Sequence, residues 1–430
     1  MPYDVPAVPV RHVAVIGGGI SGMGAAHELA RGCRVTLFES APRLGGHART
    51  VMAGRSGQQP VDTGFIVFNY QTYPRLTALF DELQVPVAPS RMTFAASIDG
   101  GRIEYALSSL NALFGQRRNV VNPKFLCMFR DILKFNRLAE TLADEDGMTI
   151  GAFLDKLDGG AWFRDYYLLP FSGAIWSTPS RGILNFPAKA LIQFFRNHAL
   201  LATSGQHQWF TVAGGSIEYV RRLEASLRQR HVEIRTGTAI ERVERSPLGV
   251  RIKPQGEDWQ VFDDVVFATH ADDSLAMLGD PTETEARTLS AIRYQPNEAV
   301  LHADTSLMPR RRRCWASWNY AEARGHDDDR IALTYWMNSL QPIPMEDPLF
   351  VTLNPIRPIN PDLIYDRTTF RHPVYDVAAL AAQTAIAAHN GSANTWFCGA
   401  WMKNGFHEDG LASGLEVATA LARRQTALAA

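Results

Sequence analysis

Cysteine is scarce and scattered. The four residues, Cys33, Cys127, Cys314 and Cys398, form no Cys-x-x-Cys pair, so the chain carries no metal-site signature and fits a reducing compartment. Net charge is nearly absent: 43 Lys and Arg stand against 44 Asp and Glu, a formal charge of −1, which implies no general attraction to nucleic acid. No apolar run approaches the roughly 18 residues of a bilayer span. Met1-Pro-Tyr-Asp-Val-Pro6 lacks the basic and apolar regions of a signal peptide. These absences predict a cytoplasmic protein, at most held at the inner face of a membrane. There is no internal repeat, no low-complexity tract and no second Gly-x-Gly-x-x-Gly. At 430 residues the chain is too long for one simple core, and two domains are expected.

What is present is organised around Val13-Ala-Val-Ile-Gly-Gly-Gly-Ile-Ser-Gly-Met-Gly-Ala-Ala-His-Glu-Leu-Ala30. Val13 to Ile16 reads as a buried strand, Ser21 to Ala30 as a helix, and Val35 to Phe38 as a second strand ending at Glu39. Gly17-x-Gly19-x-x-Gly22 therefore sits in the context that a dinucleotide fingerprint requires. Gly17 permits the tight turn, Gly19 the backbone approach to a pyrophosphate, and Gly22 the packing of helix on strand. Ile20 and Ser21 open the helix, whose unpaired N–H groups face the phosphates. Glu39, with Ser40 beside it, is placed to bind both hydroxyls of an adenosine ribose. Glu39-x-x-x-Arg43-x-Gly45-Gly46 follows, then His47. Arg43 is expected to pair with the pyrophosphate, and the two glycines to let the chain pass close to a cofactor larger than NAD. Thr63-Gly64 adds another small turn in the same neighbourhood.

From about Phe65 to Ser204 helical periodicity dominates and aromatics are dense, among them Phe125, Phe135, Trp162, Phe163, Phe194 and Phe195. Lys124 to Leu142 has apolar residues at helical spacing with basic residues between. Most rings are expected to fill the core of an inserted, mostly helical domain. The rest would wall a large apolar pocket, with Trp176, Trp209, Trp401 and Phe406 as candidates. Strands from Val232 to Thr269 return to the cofactor domain, and Val243 is assigned to the cofactor. Tyr294 to Asp304 opens a second substrate segment. It contains Arg310-Arg-Arg-Arg313, read as a solvated loop, with contact to anionic lipid headgroups beside Trp315 and Trp318 as the alternative. Strands Ile331 to Met337 and Leu349 to Leu353 follow, then Pro-rich loops through Pro373 and a helix from Ala378 to His389. A strand ending at Gly399 and the run Gly405-Phe-His-Glu-Asp-Gly410 lead into a final helix. Its dipole can stabilise negative charge at the N1–C2=O edge of a reduced flavin. Gly399, Ala400, Glu408, Asp409, Gly410 and Leu411 complete the expected cofactor set.

These residues resemble the flavin-containing amine oxidase superfamily, with phytoene desaturases and protoporphyrinogen oxidase as relatives. A narrower set of segments, Asp165 to Pro179, Trp209 to Ser216, Trp315 to Tyr320, Val351 to Pro355 and Gly405 to Gly410, resembles the bacterial family labelled "predicted NAD/FAD-binding protein". That family often accompanies cyclopropane-fatty-acyl-phospholipid synthase-like methyltransferases, and some members are implicated in dehydrogenating methylated acyl chains. The resemblance implies an α/β fold: a Rossmann-type FAD-binding domain (10–64, 205–290 and 391–427) interrupted by a mixed, largely helical substrate domain (65–204 and 291–390). It implies one FAD, held non-covalently because no cysteine suits a cysteinyl link. Ala400 follows Gly399 where many relatives carry an acid. No lysine lies between Lys253 and Lys403, whereas many amine oxidases place one near flavin N5, in the strand around Glu298 to His302. Phe406 stands where monoamine oxidases have a tyrosine.

Hydride transfer to a flavin needs a positioned C–H bond and a dry pocket. Where the accompanying proton needs a base, His407, Glu408 and Glu298 are the candidates. For Glu408 and Asp409 helix capping or cofactor support is the favoured role. His407 stands between the active site and a structural hydrogen bond. The expected function is dehydrogenation or desaturation of a lipid acyl chain, methyl-branched in one version, with peripheral membrane contact and a functional link to a methyltransferase. The alternatives are oxidation of an amine or other hydrophobic small molecule, and a non-catalytic flavin protein that presents lipid to a partner.

Overall fold

A computed structural model of the chain describes residues 10–145, 147–176, 180–201, 207–323 and 331–429. The expected domain boundary at 204/205, the signal-peptide region and the last three residues of the 165–179 segment lie outside them. At the centre is a five-stranded sheet in the order Glu233–Arg235, Arg34–Phe38, His12–Ile16, Asp264–Phe267, Thr395–Phe397. Every neighbouring pair is parallel. Parallel sheets are covered on both faces, which is why these strands read as continuous apolar runs; Val13, Ala14, Val15, Val265 and Val266 are completely buried.

The helix that follows the first strand, Ile20–Leu29, packs along the final helix, His407–Ala429. Glycines set that distance. A Cβ added to Gly24 would lie 2.4 Å from Leu411 Cδ1, and one added to Gly414 would lie 2.3 Å from the Ser21 carbonyl oxygen. The final helix is thereby pinned to the dinucleotide motif, and the two ends of the chain build one site.

A second body is formed around a seven-stranded sheet, ordered Ile364–Val374, Arg293–His302, Phe350–Leu353, Ala332–Trp336, Trp318–Ala321, Phe94–Ile98, Ile103–Ala106. One expectation is corrected here. The stretch ending at Pro373, read as Pro-rich loops, is an 11-residue strand, paired with Arg293–His302 from Arg293–Val374 through His302–Ile364. It lies at the edge of the sheet, where a proline with no N–H to donate is tolerated. The insert is mostly helical as expected, opening with short strands before helices take over from Leu110 to Asn197. The longest of these, Pro123–Leu142, starts with Asn122 accepting the Lys124 and Phe125 N–H groups and with Pro123 in its first turn. It buries Phe125, Met128, Ile132, Phe135 and Ala139, one stripe at helical spacing.

The Arg310–Arg313 run lies at the surface as expected, with Arg310, Arg312 and Arg313 exposed, and contacts of Arg311 and Arg312 anchor it. Arg311 reaches the fully buried Glu104 carboxylate at 2.6 Å, the Arg310 N–H donates to the same carboxylate at 2.8 Å, and the Arg312 guanidinium lies 3.7 Å from the Trp315 ring centre.

Candidate active site

The first strand ends at Ile16 and the chain turns at Gly17, whose φ of +111° favours glycine and whose added Cβ would sit 2.7 Å from the Ala268 carbonyl oxygen. Gly19 differs in kind. A Cβ there would meet nothing within 4 Å, because the residue borders a cavity also lined by Gly17, Ile20 and Ser21. No side chain caps the helix at Gly19, so its first N–H groups are free to meet an anion. Gly22 lies on the other side of the turn, with its added Cβ 1.9 Å from the Gly17 carbonyl oxygen. Glu39 braces this loop, one carboxylate oxygen accepting the Gly18 N–H at 2.6 Å and the other the Ala41 N–H at 2.8 Å. Glu39 and Ser40 face the cavity beside Thr238, Ala239 and Ile240.

Val243 does not reach the cavity. It is fully buried, and its carbonyl accepts the Gly279 N–H at 2.8 Å. The lining falls to residues 238–240 because the Thr238 N–H bonds to the Glu39 carbonyl and the Gly237 N–H to that of Ala41, drawing the start of the strand to this edge. Arg43 is not among the cavity-lining residues. Its guanidinium donates to the Leu44, Ala48 and Gly46 carbonyls at 3.1–3.2 Å and holds the second glycine turn from behind. That turn is locked to the first by the Gly45 N–H to the Gly18 carbonyl at 2.8 Å. Gly45, Gly46, His47, Thr63 and Gly64 all line the cavity. Gly64 is required because an added Cβ would lie 2.0 Å from the His47 carbonyl oxygen.

At the C-terminal side Gly399, Ala400, Trp401, Phe406 and His407 line the cavity. Their successors support the helix instead. Glu408 accepts the Arg75 and Leu76 N–H groups at 3.0 and 2.9 Å, which caps the helix Pro74–Glu82. Asp409 accepts the Phe406 N–H at 3.0 Å, and burial raises its carboxyl to about 6. Gly410 and Leu411 pack on Ser21 and Gly24 of the first helix.

The cavity, about 1090 Å³, runs from the glycine turns into an aromatic half walled by Phe65, Phe94, Phe171, Trp176, Trp209 and Phe406 among others. The rings brace one another: Phe194 stacks on Phe406 with centres 4.7 Å apart, and Trp176 lies 4.8 Å from Phe194. Five histidines also line it, His47, His198, His270, His372 and His407. Burial in this apolar wall lowers His47, His198 and His270 to about 4 and His372 and His407 to about 3, so all five are neutral at physiological pH.

His407 stacks on Phe65 at 3.9 Å, and its Nε2 lies 2.6 Å from the hydroxyl of the buried Tyr219. It thus faces the cavity and also makes a structural hydrogen bond. Glu298 faces outward and pairs with Arg367 at 2.7 Å. Side chains alternate along a strand, and it is Asn297 that turns inward, its Nδ2 2.8 Å from His372 Nδ1. Backbone groups fix the direction of that bond. The Glu298 N–H donates to Asn354 Oδ1, and Asn354 Nδ2 donates to the Ile331 carbonyl and to Asn297 Oδ1. The Asn297 amide therefore donates to Nδ1, and His372 carries its proton on Nε2, as a donor. His372, Phe370 and Tyr375 were missed in the sequence because the strand carrying the first two was read as loop; their i, i+2 spacing was the available signal.

The donor set fits an extended dinucleotide: unfilled space at Gly19, helix N–H groups beside it, and an uninterrupted path past Gly399–Trp401 to the aromatic wall. None of the four cysteines lines this cavity. The profile of the family described as flavin containing amine oxidoreductase matches residues 20–307. Over 51 residues the chain is 47% identical to protoporphyrinogen oxidase 2, chloroplastic/mitochondrial, of Arabidopsis thaliana, a match spanning 12% of this chain and 10% of that protein. Its fold is similar to that of cyclohexylamine oxidase from Brevibacterium oxydans IH-35A, with a TM-score of 0.71 and 15% identity over 97% of this chain and 99% of that one. It is similar also to the CLA-producing fatty acid isomerase from P. acnes, with a TM-score of 0.68 and 15% identity over the same shares. With its dinucleotide turns, aromatic cavity and matched profile, the chain belongs to the flavin-containing amine oxidoreductase family, as an oxidoreductase whose cofactor is FAD.

Proposed function

We propose that the protein dehydrogenates a hydrophobic substrate, an uncharged lipid acyl chain that lies in the aromatic half of the cavity. The observation that carries this reading is where the charge lies. Among the described residues, Glu39, Asp273 and Arg371 are the charged residues of the lining. Glu39 is held by backbone N–H groups, and both Asp272 and Asp273 are paired with Arg371. Among the described residues, the aromatic wall offers no carboxylate to a substrate ammonium and no lysine. A chain can bind there without a charged anchor, since each buried methylene contributes about 0.8 kcal/mol. FAD, when bound, supplies the hydride acceptor. The residues of the chain orient the C–H bond, exclude water and present the His372 N–H to an acceptor. Resemblance to the bacterial family that accompanies methyltransferases favours methyl-branched chains as substrate.

Oxidation of a neutral amine is the second reading, favoured by the ring cluster of Trp176, Phe194 and Phe406. Anaerobic mixing of the oxidised holoenzyme with methylated phospholipids, unmodified phospholipids and a panel of amines separates the two. Flavin bleaching by lipid is the expected result. Bleaching by amines alone would overturn the acyl-chain reading, and no bleaching by any of them would favour a non-catalytic role.

A further inference from the structure

We infer that the face formed by residues 107–137 is a docking surface for an anionic phospholipid bilayer, seated over the mouth of the cavity. This rests on the acyl-chain reading for its purpose, and on the surface alone for its evidence. Among the described residues, fifteen large apolar side chains are exposed, and six of them fall here: Leu107, Leu110, Val120, Val121, Leu126 and Leu133. Leu110 is 72% and Val121 80% exposed. Such clustering in a short stretch marks an interaction site, whereas single exposed apolar residues do not.

The charge is as local as the apolar surface. A chain with net charge −1 places six basic residues between 107 and 137, Arg117, Arg118, Lys124, Arg130, Lys134 and Arg137, against one acid, Asp131. Asp131 is buried and accepts the Gly160 N–H at 3.0 Å, besides pairing with Arg130. On the helix Pro123–Leu142, Leu126, Arg130, Leu133 and Arg137 form one stripe at i, i+4, i+7, i+11. Arg117 bonds to Asn111 Oδ1 at 2.6 Å, joining this stripe through the turn Arg117–Val121 to Leu110. Alternating basic and apolar side chains suit the headgroup boundary, where chains snorkel and apolar groups insert.

The position ties the face to the site. Leu107 is exposed, and with Ser108 it also lines the cavity, next to Phe94 and Trp318. A bilayer held here would present acyl chains at the mouth. In the other basic run, Arg310–Arg313, Arg311 is paired with Glu104 and Arg312 lies over the Trp315 ring. No helix among the described residues is long and apolar enough to cross a membrane, so the contact is peripheral.

The test is co-sedimentation of the FAD-loaded full-length protein with vesicles of phosphatidylglycerol and phosphatidylcholine, beside vesicles of phosphatidylcholine alone. Binding is expected to the anionic vesicles and to fall when salt rises from about 0.1 M to about 1 M, as the screening length shrinks from ~10 Å to ~3 Å. Lys124→Glu with Arg130→Glu is expected to weaken binding at least about ten-fold, and Leu110→Glu with Val121→Glu comparably, while flavin reduction by detergent-dispersed lipid stays as in the wild type. Equal binding to both vesicle types, no binding at all, or a dimer in light scattering that Val121→Glu splits would each overturn the inference. Vesicle binding without flavin reduction by lipid would sink the acyl-chain reading alone. Reduction by dispersed lipid without vesicle binding would sink the docking surface alone.

Discussion

Gly19→Ala and Gly22→Ala place the same methyl group three residues apart and should have opposite consequences. At Gly19 the added Cβ meets no protein atom within 4 Å, and the backbone, with φ −77° and ψ −177°, is open to any residue. The apo protein should therefore keep its stability or gain a few tenths of a kcal/mol from a less flexible unfolded chain. The methyl occupies the space through which a pyrophosphate approaches the backbone. Losing one charge-assisted hydrogen bond from this N–H cradle costs roughly 1.5–3 kcal/mol, or about 10- to 150-fold in FAD affinity. At Gly22 the methyl would lie 1.9 Å from the Gly17 carbonyl oxygen and 3.0 Å from Ala268 Cβ. The helix must then move off the sheet, and overpacking of this kind costs about 1–3 kcal/mol or more. Denaturant unfolding of the two apo proteins, with flavin-fluorescence titration of each, separates the effects. An apo Gly19→Ala protein that is markedly destabilised, or one that binds FAD as the wild type does, would refute the claim that this space is reserved for cofactor.

His407→Phe should leave flavin reduction within about ten-fold of wild type while costing about 1–3 kcal/mol, because the buried Tyr219 hydroxyl loses its partner; a rate loss beyond a hundred-fold in stopped flow would instead make His407 a participant in the chemistry. Glu408→Ala should lower stability by about 0.5–2 kcal/mol through loss of the cap on Pro74–Glu82, with FAD affinity unchanged in titration. The fold should also be acid-labile. Seven histidines, His27, His47, His198, His270, His302, His372 and His407, are lowered by burial to between about 3 and about 4. The unfolded chain binds more protons there, so their contribution is complete above about pH 6.5 and is lost as pH falls toward 4. Asp62 and Asp409, raised by burial to about 6, act in the opposite sense over the same interval. At roughly 3 kcal/mol per group in the limit, seven outweigh two; apo stability that is flat or rises between pH 6.5 and 4.5 in urea titrations would contradict the burial of these imidazoles.

Local sequence determined the cofactor half of the protein. The strand–turn–helix around Gly17, Gly19 and Gly22, the parallel strands and the final helix follow from apolar runs and glycine spacing. Those signals act within some thirty residues, where hydrogen bonding and backbone freedom settle the conformation. Tertiary structure alone decided which side chains face the cavity. Glu298 and Asn297 differ by one position, and the pairing of Arg293–His302 with Ile364–Val374 sets which of them turns inward; a strand's two faces become distinct only when its partners are in place. Glu408 holds a position that fits a cofactor role, yet it accepts its hydrogen bond from a helix that lies 332 residues away in sequence at Leu76. A side chain's partner is chosen by proximity in the folded chain, and proximity of that range leaves no mark on residue spacing.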